Sequence, residues 1–250
     1  MKKKLTIASI FILLYIGFLI ATLPTALVLN QLSLPKNIVI WGVKGNIWNT
    51  DIAQITIEKT TIQKVNAILN FWSLFTLSPK VDITFGDSFT PGPEGELELV
   101  LTTSKAIVND LNVLVKANDI AQQISLPIPV TAKGEIELTV LNAEVDLNNN
   151  NQCITVTGTA TWSKAGVVAL EQSIELGKLS ADISCDKGTL AAVISPKNDL
   201  GLTFSAYLSQ KGKLSGNGYL KPEDKFPQAL NDALPFLGRK DRQGRYRLQF

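Results

Sequence analysis

GELELVL at residues 95–101 and GEIELTV at residues 134–140 decide how most of this chain is read. In the first, Leu97, Leu99 and Leu101 fall on one side of an extended backbone, and Glu96 and Glu98 on the other. A period of two belongs to a strand with one buried face. The second stretch repeats five positions of the first at an offset of 39, which suits either a structural repeat or two similar exposed strands.

The same period extends outward in both directions. VDITF (81–85) precedes the first stretch, and ITVTGTATW (154–162), IELGKLSADISC (174–185), TLAAVIS (189–195), LTFSAYL (202–208) and LSGNGYL (214–220) follow the second. Asn148–Asn151, Asp186-Lys187-Gly188, Asn198-Asp199 and Gln210-Lys211-Gly212 supply turns. Such short intervals imply antiparallel neighbours. Upstream, IVIWGV (38–43), a turn at 46–49 and alternation over 52–57 start the sheet, and TIQKVNAIL (61–69) continues it. RYRLQF (245–250) closes it.

Three segments depart from this pattern. NFWSLFTL (70–77) reads as a buried loop or one helical turn. NDIAQQI (118–124) reads as a short helix capped by Asn118 or Asp119 and stopped by the prolines of LPIPV. FPQALNDALPFLG (226–238) reads as a helix between Pro227 and Gly238, shortened or kinked at Pro235. With about twelve strands, the fold class is all-β, a mainly antiparallel sheet that is curled or sandwiched, with one or two short helices.

Ahead of the sheet lies LTIASIFILLYIGFLIATL (5–23), uncharged and preceded by Lys2, Lys3 and Lys4. As a helix it would span roughly 28 Å, close to the bilayer's apolar thickness of about 30 Å. It reads as a single transmembrane helix, with the lysines cytoplasmic and the rest of the chain on the far side. A cleaved signal peptide is the competing reading. Against it, the apolar run is long, and no small-x-small site follows it cleanly.

Net charge is +2, which points to no nucleic-acid partner. There is no histidine, which removes Ser-His-Asp and Cys-His catalysis and any imidazole metal site. No cofactor motif stands in its place, because the glycines at 212–218 lack the strand-then-helix context of a phosphate loop. Cys153 and Cys185 are the only cysteines, and on the exported side an even count reads as a disulfide. It would close a loop of about 33 residues, worth roughly 3–4 kcal/mol.

Several stretches combine into a family pattern. VKGNIWNTDIAQI (43–55) resembles the G-T-L-W-x-G-x-A signature of type II secretion system protein N, with Asn46 in place of Thr or Ser and Thr50 in place of Gly. NFWSLFTLSPKVDI (70–83), the order Cys153, TATWSKAGV (159–167), LGKLSADISC (176–185), and residues 218–250 resemble later parts of that family in the same order. The resemblance implies a non-enzymatic, single-pass inner-membrane protein with a periplasmic β domain. Such a protein would be an accessory to the machine that exports folded proteins across the outer membrane. Its expected partners are the machine's other inner-membrane components. The domains are then a cytoplasmic stub (1–4), an anchor with its juxtamembrane segment (5–29) and a periplasmic β-rich domain (30–250).

Two sets of residues are candidates for interaction. Trp41 and Trp48 read as core packing at the start of the sheet, with partner anchoring as the alternative. Arg239, Arg245 and Arg247 belong to a run, 239–247, that holds all four arginines. Arginine makes planar, two-pronged bonds to carboxylate or phosphate. An anion site for a partner loop or lipid headgroup therefore competes with internal pairing to an acid on the adjacent strand. Lipid is also a candidate ligand for the sheet itself, because a long curled sheet with one apolar face can form a groove for acyl chains.

Overall fold

The computed structural model describes residues 2–31, 37–58, 60–122, 130–169, 172–210 and 213–249. Its organising element is one antiparallel sheet. β1 (Ile38–Asn46), β2 (Asn49–Ile57), β3 (Thr60–Leu69), β4 (Lys80–Phe85), β5 (Glu94–Leu101) and β6 (Lys105–Lys116) come first. β7 (Thr131–Asp146), β8 (Gln152–Ala169), β9 (Gln172–Asp186), β10 (Thr189–Ile194), β11 (Leu202–Leu208), β12 (Leu214–Leu220) and β13 (Tyr246–Gln249) follow. Each strand pairs with the next in chain order, so β1 and β13 are the edges and the sheet is a long meander. β5 and β7, the two Glu/Leu stretches, flank β6.

Residues directly opposite in an antiparallel ladder share a face, so the register sorts the side chains. Val81, Leu99, Val108, Ala143 and Val156 form one row across β4–β8. Val113, Leu138, Ala160, Ala181 and Ile194 form another across β6–β10. The opposite face carries Asp82, Glu98, Asn109, Asn142 and Thr157. The sheet therefore has one aliphatic and one polar face over most of its width.

Bulges bend it. Gly134 (φ +89°), Lys164 (φ +50°) and Gly177 (φ +77°) lie where the pairing of β7, β8 and β9 shifts. A bulge bends its strand and raises the local twist. Beyond this line the end of β8 and the start of β9 bring Ala165, Ile174 and Leu176 into a core with Leu200, Leu220, Phe226, Leu234 and Tyr246. The segment Gln228–Leu237 covers that core. It is a 3-10 helix capped at Pro227 and Gly238, with Pro235 inside. The helix expected between Pro227 and Gly238 is present, and Pro235, the one proline inside it, removes a backbone donor that an α-helical ladder would use.

α1 (Lys2–Ala21) and α2 (Thr25–Gln31) precede the sheet, and α3 (Ala117–Ala121) follows β6. The cap expected at Asn118 or Asp119 is corrected: both lie inside α3, and Lys116 is the N-cap, with no cap bond from its own side chain. Pro127, Pro129, Lys211, Gly212 and Phe250 lie outside the described residues. α1 is 20 residues long, with Phe11, Leu13, Leu14 and Phe18 exposed around it. Among the described residues no helix is long and apolar enough to cross a membrane; the side chains of residues 2–5 and 8 lie outside that description.

Candidate functional site

The first candidate site is the junction between α1 and the β1–β2 hairpin. Asn46 shapes the turn: its Oδ1 accepts the backbone N–H groups of Trp48 and Asn49, each at 3.1 Å. Gly45 sits at φ +89°, where an added Cβ would run into the Asn49 carbonyl. The turn then grips the end of the helix. Ile47 N–H donates to Leu23 O (3.1 Å), and Trp48 Nε1–H donates to Ile20 O (3.3 Å). The hydroxyls of Thr25 and Thr50 lie 2.7 Å apart, and Thr50 Oγ1 also donates to Asn46 O (3.0 Å). The last carbonyls of a helix lack intrahelical partners, so the indole N–H satisfies one of them. Asn46 and Thr50, the two departures from the family signature, thus both hold this junction.

Trp48 is half-buried here, whereas Trp41 is 65% exposed. The core reading of Trp41 is corrected: β1 is an edge strand, and its alternation turns Val39 and Trp41 outward.

Of the two readings of 70–77, the helical turn is present and the burial is corrected. Phe71–Thr76 is a 3-10 helix, capped by the Asn70 side chain on Trp72 N–H (3.0 Å) and closed by Leu77 at φ 54°. Buried Ser73 ties it to β4 by accepting Lys80 N–H (2.8 Å). Its aromatics face outward rather than into a core: Trp72 is 76% exposed, Phe75 70% and Leu77 80%. Phe71 bridges this step to the junction, its ring centroid 5.2 Å from Trp48 and 5.4 Å from Phe75. The stretch 65–79 contains no charged residue, which is the sequence signal for an apolar surface that the buried reading passed over.

The C-terminal arginines divide. Arg245 forms a two-pronged pair with Asp241, Nε and Nη2 each 2.8 Å from Oδ2, and its guanidinium lies 4.1 Å from the Tyr219 ring centre. The backbone N–H of Arg245 holds the Asp241 carboxyl below its usual value against an opposing effect of desolvation, and the Arg245 side chain adds to the lowering. The acid is four residues away in the same turn, not on the adjacent strand. Arg247 lies opposite Tyr219 on β13 and is exposed; Arg239 is also exposed. Tyr246 is buried and Leu248 packs against the core.

Cys153 and Cys185 form a disulfide with Cα atoms 5.8 Å apart, joining the start of β8 to the end of β9. Among the described residues no group of three His, Cys, Asp or Glu could hold a metal ion.

These features define a helix-tethered, disulfide-bonded antiparallel β protein. The chain belongs to the family described as Type II secretion system (T2SS), protein N, whose model matches residues 36–249. It is similar to the type II secretion system protein N of Aeromonas hydrophila, 29% identical over 254 residues, covering 100% of this chain and 98% of the relative. The Klebsiella pneumoniae protein of that name is 27% identical, covering 98% of this chain and 94% of its own length. The Vibrio cholerae protein is 23% identical, covering 98% and 97%. No solved structure matches this chain.

Proposed function

We propose that this chain is an accessory component of the type II secretion machinery, anchored in the inner membrane by α1, with its β domain in the periplasm. The role in secretion follows from the family. The anchor rests on the uncharged, apolar run 5–23, behind three lysines that favour a cytoplasmic start. The observation that carries the reading is the junction: α1 ends in hydrogen bonds to Ile47 and Trp48, so helix and sheet are one mechanical unit. The disulfide agrees with an oxidising compartment. The domain acts by contact with other inner-membrane components of the machine and performs no chemistry of its own. Recovery of those components with the full chain from mild detergent tests this. Recovery is expected; its failure, together with normal secretion in cells lacking the protein, would overturn the proposal.

A second reading is favoured by one observation. The aliphatic face of β4–β8 is half-buried, no large described side chain is fully buried, and the sheet keeps two free edges. Such a face could shelter acyl chains. Mass spectrometry of the purified protein should then show bound lipid in stoichiometric amount; protein free of lipid would end this reading.

A further inference from the structure

We propose that the 3-10 step at 71–77 is a second membrane contact, seating the β domain in the headgroup layer of the bilayer that α1 crosses. This rests on the anchor reading above and adds a surface to it.

Three observations place a bilayer on this surface. The first is continuity. Trp48 bonds the carbonyl of Ile20, near the end of α1, and Phe71, Trp72 and Phe75 extend from Trp48 as one chain of ring contacts. Whatever surrounds the end of α1 therefore also meets these rings. The second is chemistry. Tryptophan and tyrosine are favoured where membrane meets water, because one part of the ring system is apolar and another can hydrogen-bond. Trp72, Phe75 and Leu77 are largely exposed, within a stretch free of charge from 65 to 79. The chain from 5 to 35 is likewise uncharged, and Leu27 of α2 is 58% exposed beside β1. The third is rigidity. The Asn70 cap and the Ser73–Lys80 bond hold the step in place on β3 and β4, so its rings are presented and not merely loose. An apolar surface that continues from a membrane helix has the bilayer as its nearest occupant. A partner protein would have to displace lipid to reach it.

The footing fixes how the sheet stands. A single helix can tilt and turn in the bilayer and carry the sheet with it. A second contact holds the sheet at one tilt and brings the same edge, β1, toward neighbours in the membrane.

The test uses the full chain in vesicles of phosphatidylglycerol and brominated phosphatidylcholine, with bromine either near the acyl carbonyl or near the chain midpoint. Tryptophan occurs at 41, 48, 72 and 162. Replacing Trp41, Trp48 and Trp162 by Phe leaves Trp72 as the reporter. Its emission should fall most with bromine near the carbonyl. A chain keeping only Trp41, which lies further along β1, should be quenched by acrylamide and not by bromine. A third chain lacks all four native tryptophans and carries Phe11→Trp; it reports on α1 and should be quenched by midpoint bromine. Should the multiple replacements fail to fold, Trp72→Phe in the otherwise intact chain should remove part of the shallow quenching. Unquenched Trp72 with a quenched α1 probe would overturn the footing and leave the anchor standing. Both probes unquenched would overturn footing and anchor together. Quenched Trp72 with an unquenched α1 probe would keep the footing and remove the span.

Discussion

At the scale of single residues, the polar face of the sheet and the C-terminal turn make the sharpest predictions. Glu98 accepts Asn109 Nδ2 (2.9 Å) and pairs with Lys80 (2.9 Å), and Asn142 in turn donates to Asn109 (2.9 Å). The Asn109 bond first, then Lys80, hold the Glu98 carboxyl below its usual value. A carboxyl with a depressed folded-state pKa adds stability above its unfolded pKa and loses it as pH falls through the folded one. The urea midpoint should therefore fall below about pH 4, and Glu98→Gln should flatten part of that fall. Arg245→Lys removes the fork on Asp241 and weakens the stack on Tyr219, and both contacts lie at the solvent, where an ion pair adds little. A small drop in melting temperature is expected for Arg245→Lys and none for exposed Arg247→Lys. Equal effects would put the two arginines in one site. That all four arginines gather at 239–247 was legible in the sequence. Which acid Arg245 takes was not, because a turn at Asp241–Gly244 brings the backbone back on itself, and side-chain type alone does not reveal turn geometry.

At the scale of elements, alternation was legible wherever one face is aliphatic and the other polar, as in β5 and β7. It stopped short at bulges, where the phase slips by one: the stretch 154–162 ends at the bulge beside Lys164, but β8 runs on to Ala169. NFWSLFTL misled for a different reason: rings that pack into a core and rings that stay on the surface have the same composition, and only the fold separates them. The disulfide is testable here. It bridges neighbouring strands, so its reduction should leave the fold intact but lower stability by roughly 3 kcal/mol, read as a shifted melt with dithiothreitol and as altered mobility on a non-reducing gel. The 3-10 cover offers a second test. Leu234 is 7% exposed in the core beneath it, so Leu234→Ala should cost about 2–5 kcal/mol; a loss near zero would mean that the segment does not close the core. Gly45→Val should unseat the hairpin turn, at a cost of order 1–3 kcal/mol for the strained backbone.

At the scale of the whole molecule, one hairpin joins the β domain of this secretion-family chain to α1, the helix we propose as its anchor. In this meander of thirteen described strands a cluster of buried side chains gathers near the C-terminal end, where the 3-10 segment covers it. Its N-terminal end instead grips α1. Composition pointed to this division early, since charge is absent from 5–35 and all arginine lies beyond 238. The curl of the sheet was not legible, because it depends on bulges lining up across strands distant in sequence. The central claim is that α1 crosses the membrane and leaves the sheet in the periplasm. Alkaline phosphatase and green fluorescent protein, each fused after Phe250 of the full chain, test it directly. Phosphatase activity in whole cells with dark green fluorescent protein is the predicted result; fluorescence with inactive phosphatase would place the sheet in the cytoplasm and contradict the account.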